Sequence, residues 1–600
     1  MNTLPSRFLA TSSRLAGRTA MRRKKYGIWH DITWQQYRER ALEVAAALGE
    51  SGLKPGERVA IIGENGPEWL FIDMGIQLAG GVSVGIYTTN SREQCEYVVN
   101  HAECTILFAE NEEQVDKWLW FRYRAPQLSR VIYWDPKGLT GFSEPGTMTF
   151  DDFLALGREQ LHEQRAYLEA AAAGVNPDDL AILVYTSGTT GMPKGAMLTH
   201  ANLTWVADAI TGVDPELEIG EHDEVMSFLP LCHIFERMFS VYVHITAGYI
   251  VNFIESPDTV MENMREIAPT IGYAVPRIWE KYYSGVYIKM GEATRFKKLL
   301  YALAIKYSQD YVEVRLEGGK PRTAQTVMYY LAWFAVFRKL RERLGMQRIK
   351  VAFSAAAPIS PDILRFFHGM GMNLVEGYGQ TEGSGVTTGA SVSAFRLGCV
   401  GRPVPGCEVR LADDGEILVK SPGVFKGYLK DEEETARVLR DGWLHSGDIG
   451  EMDADGYLRI VGRKKDIIIT AGGKNIAPQY IENKLKFCPY INDAIVIGDR
   501  KKFLSALIVL DEENVMKYAR DHKIAFATYS DLAGSEAMQE LIGKEVDQVN
   551  KELARVEQVR AFRILPKKLY EEDGEVTPTM KVKRSFVNRM YGELINEMYR

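Results

Sequence analysis

The stretch YTSGTTGMPKGAMLTH, Tyr185–His200, directly follows the apolar run Ala181-Ile182-Leu183-Val184 and governs how the whole 600-residue chain is read. A strand that ends in glycines, hydroxyls and one lysine suits a turn that holds phosphate. Gly188 and Gly191 permit positive φ and let backbone approach an anion closely. Successive N–H groups and the hydroxyls of Ser187, Thr189 and Thr190 can donate to phosphate oxygens, while Lys194 supplies positive charge. The spacing is G-x-x-G-x-x-K, which differs from the G-x-x-x-x-G-K-[ST] of P-loop nucleotide hydrolases. Gly/Ser/Thr density alone would equally suit a flexible surface loop.

Upstream, strand and helix signals alternate. Arg58–Gly63 reads as a buried strand, Glu68–Ala79 as an amphipathic helix, and Val82–Tyr87, Cys104–Ala109 and Val131–Trp134 as further strands. Downstream, Glu224–Phe228, Tyr249–Phe253, Thr270–Val275 and Ile349–Phe353 repeat the rhythm. Such alternation predicts βαβ units and parallel sheets. Around Gly415–Lys420 and Tyr457–Val461 the texture changes to short strands with Gly and Asp turns. Beyond Arg463-Lys464-Lys465-Asp466, strands at Ala494–Ile497 and Leu504–Leu510 alternate with helices around Glu482 and over Ala537–Glu552. The expected fold is α/β. Residues 1–464 form a large domain of parallel and mixed sheets flanked by helices, with a β-rich subdomain. Residues 465–600 form a small, mobile α+β domain.

Composition narrows the class. Hydrophobic content of 46% with 25% charged residues is ordinary for a globular protein. A net charge of −7 gives no reason to expect nucleic acid as a partner. Cys95, Cys104, Cys232, Cys399, Cys407 and Cys488 form no C-x-x-C pair, which argues against a zinc site or disulfide framework and suits a reducing compartment. The first thirty residues hold several arginines and no acid, an imitation of a transit peptide. Arg22-Arg23-Lys24-Lys25 runs straight into Gly27-Ile28-Trp29 and Ile32-Thr33-Trp34, however, which reads as the opening strands of the fold. The cytoplasm is the expected location, with the inner face of a membrane as its extension. Oligomeric state is not legible; a dimer is compatible.

Residues 286–350 differ from their surroundings. They are helix-rich and carry fourteen Lys/Arg against five Asp/Glu, a basic island in an acidic protein. Inside lies VMYYLAWFAVF, Val327–Phe337. A membrane-spanning helix needs about 20 apolar residues, so this run is too short to cross. It is either a core helix or an aromatic helix lying in a bilayer interface beside Arg338-Lys339-Leu340-Arg341.

A phosphate turn does not specify a reaction; the later segments do. Val375–Glu382 reads VEGYGQTE, after the small-residue turn Ser354-Ala355-Ala356-Ala357-Pro358. An aromatic bracketed by glycines can lie against a purine, and Glu382 can bind Mg²⁺. Trp443-Leu444-His445-Ser446-Gly447-Asp448 sets an acid after a tight turn, suited to ribose hydroxyls, although a lone Asp there is usually a turn residue. Gly462-Arg463-Lys464-Lys465-Asp466 and Gly472-Gly473-Lys474-Asn475 follow in order.

With these motifs the chain resembles the AMP-forming adenylate-forming superfamily over residues 20–590, and within it the long-chain fatty acyl-CoA synthetases. The resemblance implies a two-step ligase that uses ATP, Mg²⁺ and coenzyme A. A long-chain fatty acid becomes acyl-AMP with loss of pyrophosphate, then acyl-CoA with loss of AMP. It implies that Thr186, Ser187, Gly188, Thr189, Thr190, Gly191 and Lys194 embrace the β/γ-phosphates, and that Tyr378 and Gly379 pack on adenine. Thr381 would contact phosphate, Glu382 would hold Mg²⁺, Asp448 would bind the ribose hydroxyls and Arg463 the ribose or phosphate. Lys465 matches the hinge about which the small domain rotates, and Gly472 and Gly473 match the segment lining the pantetheine path.

Lys581, in Thr577-Pro578-Thr579-Met580-Lys581, matches the lysine of adenylation. Many relatives have Gly before that lysine, where this chain has Met580, and Lys583 is an alternative. His233, in Pro230–Arg237 (PLCHIFER), resembles the edge of the acyl pocket or is a structural histidine. Trp279, in Tyr273–Lys281 (YAVPRIWEK), resembles a gate over a fatty-acid tunnel or is a core tryptophan. Four other readings compete. Luciferase-like oxidation shares the ATP motifs, although the basic helical insert favours membrane-derived fatty acid. A fatty acyl-AMP ligase would stop before coenzyme A. An amino-acid-adenylating relative would need an acid such as Glu236. A non-catalytic fatty-acid-binding scaffold would have no reason to keep Thr190, Lys194, Glu382, Asp448 and Lys581 together.

Overall fold

The apolar run before the phosphate turn becomes the strand Leu180–Thr186, third in an eight-stranded sheet. The computed structural model describes residues 2–600 except 187–191, 215, 317–318, 393, 572 and 578–580. The sheet runs Gly427–Tyr428, Lys194–Thr199, Leu180–Thr186, Val82–Ile86, Arg58–Ile62, Cys104–Ala109, Arg130–Tyr133 and Thr147–Thr149. From Leu180–Thr186 onward every neighbour is parallel. The first two strands pair antiparallel. Parallel pairing demands long crossovers, which the intervening helices provide.

The helix predicted over Glu68–Ala79 spans Pro67–Leu78 and is not amphipathic: Pro67 and every residue from Trp69 to Leu78 are buried. It is wedged between the sheet and the helices Trp34–Glu50 and Phe150–Ala173, so it has no solvent face. Those two helices lie so close that a Cβ on Gly157 would sit 1.9 Å from the Glu43 carbonyl oxygen.

A second sheet places Ile271–Ala274, Val351–Ser354 and Leu374–Tyr378 in parallel, then the short antiparallel strands Thr388–Gly389 and Arg402–Pro403. A third holds Glu224–Ser227, Ile250–Phe253, Thr19–Lys25 and Ile28–Thr33. Arg22 to Lys25 therefore lie within the first strand rather than ahead of it, and a helix over Leu4–Arg14 precedes that strand. The basic residues are absorbed locally: Arg7 pairs with Asp208, Arg14 with Glu221, Arg23 with Glu68 and Lys24 with Glu266.

The β-rich part comprises Glu408–Leu411, Glu416–Lys420, Trp443–Met452, Leu439–Arg440 and Leu458–Arg463. Beyond it, Ile491–Ile497, Leu504–Leu510 and Val559–Ile564 form a three-stranded sheet whose apolar clusters contain only residues from Ile468 onward. Residues 286–350 form helices at Arg295–Leu316 and Thr323–Ala332, a wider π-type turn over Trp333–Phe337 and the helix Arg338–Leu344. Val327–Phe337 is not a core helix. Tyr329 and Phe337 are buried, but Val327, Tyr330, Leu331 and Phe334 are 52–66% exposed. No helix among the described residues is long and apolar enough to cross a membrane.

Candidate active site

Thr186 and Lys194 face one another across the strand pair that brackets the phosphate turn. Ser187, Gly188, Thr189, Thr190 and Gly191 lie outside the described residues. The Lys194 ammonium sits 2.6 Å from Glu434 Oε1 and 5.4 Å from the centre of the Tyr428 ring. Glu434 is gripped in turn by both ends of the Arg437 fork, at 2.6 Å each. Hydrogen bonds from Arg437, then the ion pair with Lys194, hold the Glu434 carboxyl down at about 2. Behind the turn, the Tyr185 hydroxyl lies 2.8 Å from His101 Nδ1.

The carboxyl end of the second sheet faces the same region, where open α/β sheets place ligands. Leu374–Tyr378 delivers Tyr378, and the tight turn Thr381–Gly383 follows. A Cβ on Gly379 would come within 2.3 Å of the Gly385 carbonyl oxygen, so only glycine fits there. Thr381 is buried, and Glu382 Oε1 accepts a 2.7 Å hydrogen bond from the Tyr428 hydroxyl.

The Tyr378 hydroxyl donates to Asp448 Oδ2 at 2.8 Å. Asp448 and Arg463 are opposed across the hairpin of Trp443–Met452 with Leu458–Arg463, with Arg463 Nε 3.5 Å from Asp448 Oδ1. Burial raises the Asp448 carboxyl above its usual range; Arg463, Tyr378 and Lys581 oppose that shift.

Lys581 enters this field from the small α+β part. Its backbone is fixed by Thr577, whose N–H donates to the Lys581 carbonyl at 2.8 Å and whose Oγ1 accepts from the Lys581 N–H at 3.1 Å. Lys581 is exposed, and its ammonium feels the charges of Arg463, Asp448 and Glu382. Crowding, then the Arg463 guanidinium, push it down to about 8, against the pull of Asp448 and Glu382. Lys583 instead precedes the helix Arg584–Met590, and its N–H donates to the Glu575 carbonyl. His233 caps the turn Ile234–Arg237, its Nδ1 accepting from the Phe235 N–H at 3.2 Å. Burial and then Lys581 lower it to about 3, so the imidazole is neutral.

Glu236 is spoken for. Its carboxyl accepts from Ser227 Oγ and Ser240 Oγ at 2.6 Å, from the Tyr273 hydroxyl at 2.8 Å and from the Leu229 N–H at 3.1 Å. Burial raises it to about 7, against these hydrogen bonds. A carboxyl with its lone pairs filled has no capacity for a substrate ammonium, which removes the amino-acid reading. Trp279 is 1% exposed, meets Phe367 edge-on at 5.4 Å, and lines a small apolar cavity with Met226, Phe228, Tyr273 and Ile278. It is thus both a core tryptophan and a cavity wall.

Gly472 and Gly473 occupy the exposed turn between Ile468–Ile469 and Asn475–Ile476, where a Cβ on Gly473 would meet open space. Lys465 is exposed in the turn Lys464–Asp466; the protein around it and then Arg463 lower its ammonium. Sequence reading missed Tyr428, Glu434 and Arg437. Their segment, Gly427–Arg437, carries no phosphate-loop or metal spacing; it reaches the site by adding an edge strand beside Lys194–Thr199.

Comparison with known proteins places the whole chain. A family model described as AMP-binding enzyme matches residues 8–429, and one described as AMP-binding enzyme C-terminal domain matches residues 465–600. The chain belongs to the AMP-binding enzyme family. The long-chain-fatty-acid–CoA ligase FadD15 of Mycobacterium bovis is 35% identical over 577 residues, 96% of this chain and 93% of its own. The long-chain-fatty-acid–CoA ligase ACSBG2 of Xenopus laevis is 34% identical over 626 residues, covering 100% and 84%. Within the family, the chain stands among the long-chain fatty-acid–CoA ligases. Among solved structures, the anthranilate CoA ligase AuaEII in complex with anthranoyl-AMP matches at a TM-score of 0.75 and 21% identity, covering 99% of this chain and 98% of that one. The adenylation domain of the carboxylic acid reductase from Segniliparus rugosus matches at 0.72 and 21%, covering 100% and 94%. At that identity the likeness speaks for the fold.

Proposed function

We propose that this protein activates a long-chain fatty acid in two steps. The fatty carboxylate attacks the α-phosphorus of ATP and the α–β anhydride bond breaks, giving acyl-AMP and pyrophosphate. The thiol of coenzyme A, losing its proton, then attacks the acyl carbon; the bond to AMP breaks and the thioester forms. The observation that carries this reading is the placing of Tyr378, Asp448 and Arg463 in one contact group and of Glu382, Tyr428 and Lys194 in another, with the Lys581 charge felt by Asp448 and His233. Two anions must meet, and a fixed cation lowers the cost of the charge that develops.

In this reading Thr186 through Lys194 hold the β/γ-phosphates, Tyr378 and Gly379 take adenine, Thr381 contacts phosphate, and Asp448 with Arg463 takes the ribose. His233 stands at the acyl carboxylate and Trp279 walls the acyl chain. Mg²⁺ is held through one or two carboxylates together with substrate phosphates and water. Glu382, hydrogen-bonded to the tyrosine that lies over Lys194, fits that demand. Glu382 would hold the ion together with ATP's phosphates. When bound, the ion neutralises phosphate charge.

The division falls between residues 1–464 and 465–600, with Lys465 as the hinge that brings Gly472 and Gly473 to the pantetheine arm for the second step. The separate apolar clusters beyond Ile468 support a body able to move as a unit. Palmitate-dependent release of pyrophosphate, with AMP and palmitoyl-CoA appearing only when coenzyme A is added, is the expected result. Pyrophosphate release without thioester would identify an acyl-AMP ligase. No product from any C8–C20 acid would end the enzyme reading.

Residues 286–350 add a membrane contact to the proposal. The helices Arg295–Leu316 and Thr323–Ala332 are joined by a Tyr311–Tyr329 stack at 4.2 Å. Their outer faces expose Phe296, Leu299, Val327, Tyr330 and Leu331, and the following turn exposes Phe334. Exposed Lys297, Lys298, Arg338 and Lys339 stand beside them. An apolar face edged by cations matches the interface of an anionic bilayer, the phase in which long-chain acids accumulate.

A further inference from the structure

Tyr428 is buried and joined to both charged ends of the phosphate site. Its hydroxyl donates to Glu382 Oε1 at 2.7 Å, and its ring lies 5.4 Å from the Lys194 ammonium. The backbone ties the same two partners together. Gly427–Tyr428 pairs antiparallel with Lys194–Thr199, with Tyr428 opposite Ala196. The Leu429 N–H donates to the Gly195 carbonyl at 2.8 Å, and the Phe425 N–H donates to the Glu382 carbonyl at 2.8 Å. The Tyr428 N–H is itself satisfied by Thr435 Oγ1 at 2.8 Å, which anchors the backbone of the edge strand at this residue.

We infer that Tyr428 is a positioning residue that sets the Glu382 carboxylate and the Lys194 ammonium relative to one another for the metal-bound pyrophosphate end of ATP. The inference rests on the reading of Glu382 as the Mg²⁺ carboxylate. A tyrosine suits the task because it offers two different contacts in one rigid side chain. The O–H is a fixed donor that engages one carboxylate oxygen and limits rotation of the group, while the ring face attracts a cation without neutralising it. Residues that orient a metal-binding carboxylate typically govern about 10–100-fold in metal affinity.

Three variants separate the contacts. Tyr428→Phe keeps the ring over Lys194 and the edge strand but removes the donor; Tyr428→Leu removes both contacts; Glu382→Gln removes the metal carboxylate itself. The readout is ATP binding to the full-length protein by titration calorimetry, with magnesium chloride and with EDTA. The expected result for Tyr428→Phe is loss of roughly 10-fold or more of the magnesium-dependent gain in ATP affinity, with affinity in EDTA within about twofold of wild type. Tyr428→Leu should also weaken binding in EDTA, because Lys194 loses its ring contact. If Glu382→Gln abolishes the magnesium gain and Tyr428→Phe leaves it intact, the positioning role is overturned. If Glu382→Gln itself retains the full gain, the assignment of Glu382 falls and takes the role of Tyr428 with it.

Discussion

The Tyr378 hydroxyl donates to Asp448 Oδ2 at 2.8 Å, joining the residue assigned to adenine with the one assigned to ribose. Asp448 is buried, and its charge is kept by Arg463, this hydroxyl, Lys581 and Lys465. A hydrogen bond to a charged group contributes about 1.5–3 kcal/mol. Tyr378→Phe keeps the ring for stacking but frees the carboxylate to rotate or protonate. ATP affinity should fall roughly 10–100-fold, read as the dissociation constant by calorimetry, with coenzyme A affinity unchanged. Equal loss for both ligands would mean a general disturbance of the cleft.

Lys581 should leave a signature in pH. Its ammonium is pushed down to about 8, and the charged form is the useful one. The kcat/KM of ATP–pyrophosphate exchange should therefore be full below about pH 8 and decline above it, since this ratio reports ionisation in the free enzyme. Lys581→Arg, which stays charged, should lack that decline. Lys581→Ala should lower adenylation by about 10²–10³ while leaving thioester formation from supplied acyl-AMP largely intact. Loss of both half-reactions together would contradict the assignment.

How much of this could be read from the chain follows the range of the interactions. The strand leading into the phosphate turn was legible because Ala181–Val184 is a continuous apolar run, and burial on both faces of a parallel sheet demands that pattern; the strand after the turn, Lys194–Thr199, was not read. The Pro67–Leu78 helix was misread as amphipathic because Glu68 and Asp73 suggest a polar face. Asp73 is instead buried in an ion pair with Arg237, 164 residues away. Tyr428 and Glu434 were invisible for the same reason: they reach the site only when a two-residue strand docks on an edge formed by distant residues. His233 and Trp279 were visible as residues, but whether they face a pocket depends on packing that no local string records.

Glu236 should matter for stability rather than for chemistry. Four donors converge on a fully buried carboxyl and tie the Pro230–Arg237 segment to the strands Glu224–Ser227 and Ile271–Ala274. Glu236→Ala would strand those donors at about 1–3 kcal/mol each where they stay dry. The expected outcome is a fall in the melting temperature of several degrees by scanning calorimetry, together with weaker fatty-acid binding as the His233 segment loosens. A melting temperature unchanged from wild type would show that the network is dispensable.

The apolar face of residues 286–350 yields a prediction about location on lipid rather than about catalysis. Leu331 and Phe334 lie one turn apart and are 58% and 66% exposed, while the residues assigned to ATP lie in other elements. Burying such a side chain in an apolar phase contributes about 1.5–3 kcal/mol, and each cation near an anionic surface adds about 1 kcal/mol. Leu331→Glu with Phe334→Glu removes apolar contact and adds like charge toward the lipid. Co-sedimentation with vesicles of 30 mol% phosphatidylserine should fall at least tenfold, and high salt should weaken the wild type in the same direction. Activity on octanoate supplied in solution should be retained, because a short acid needs no bilayer to present it. Undiminished sedimentation of the double variant would mean that this face meets something other than a membrane.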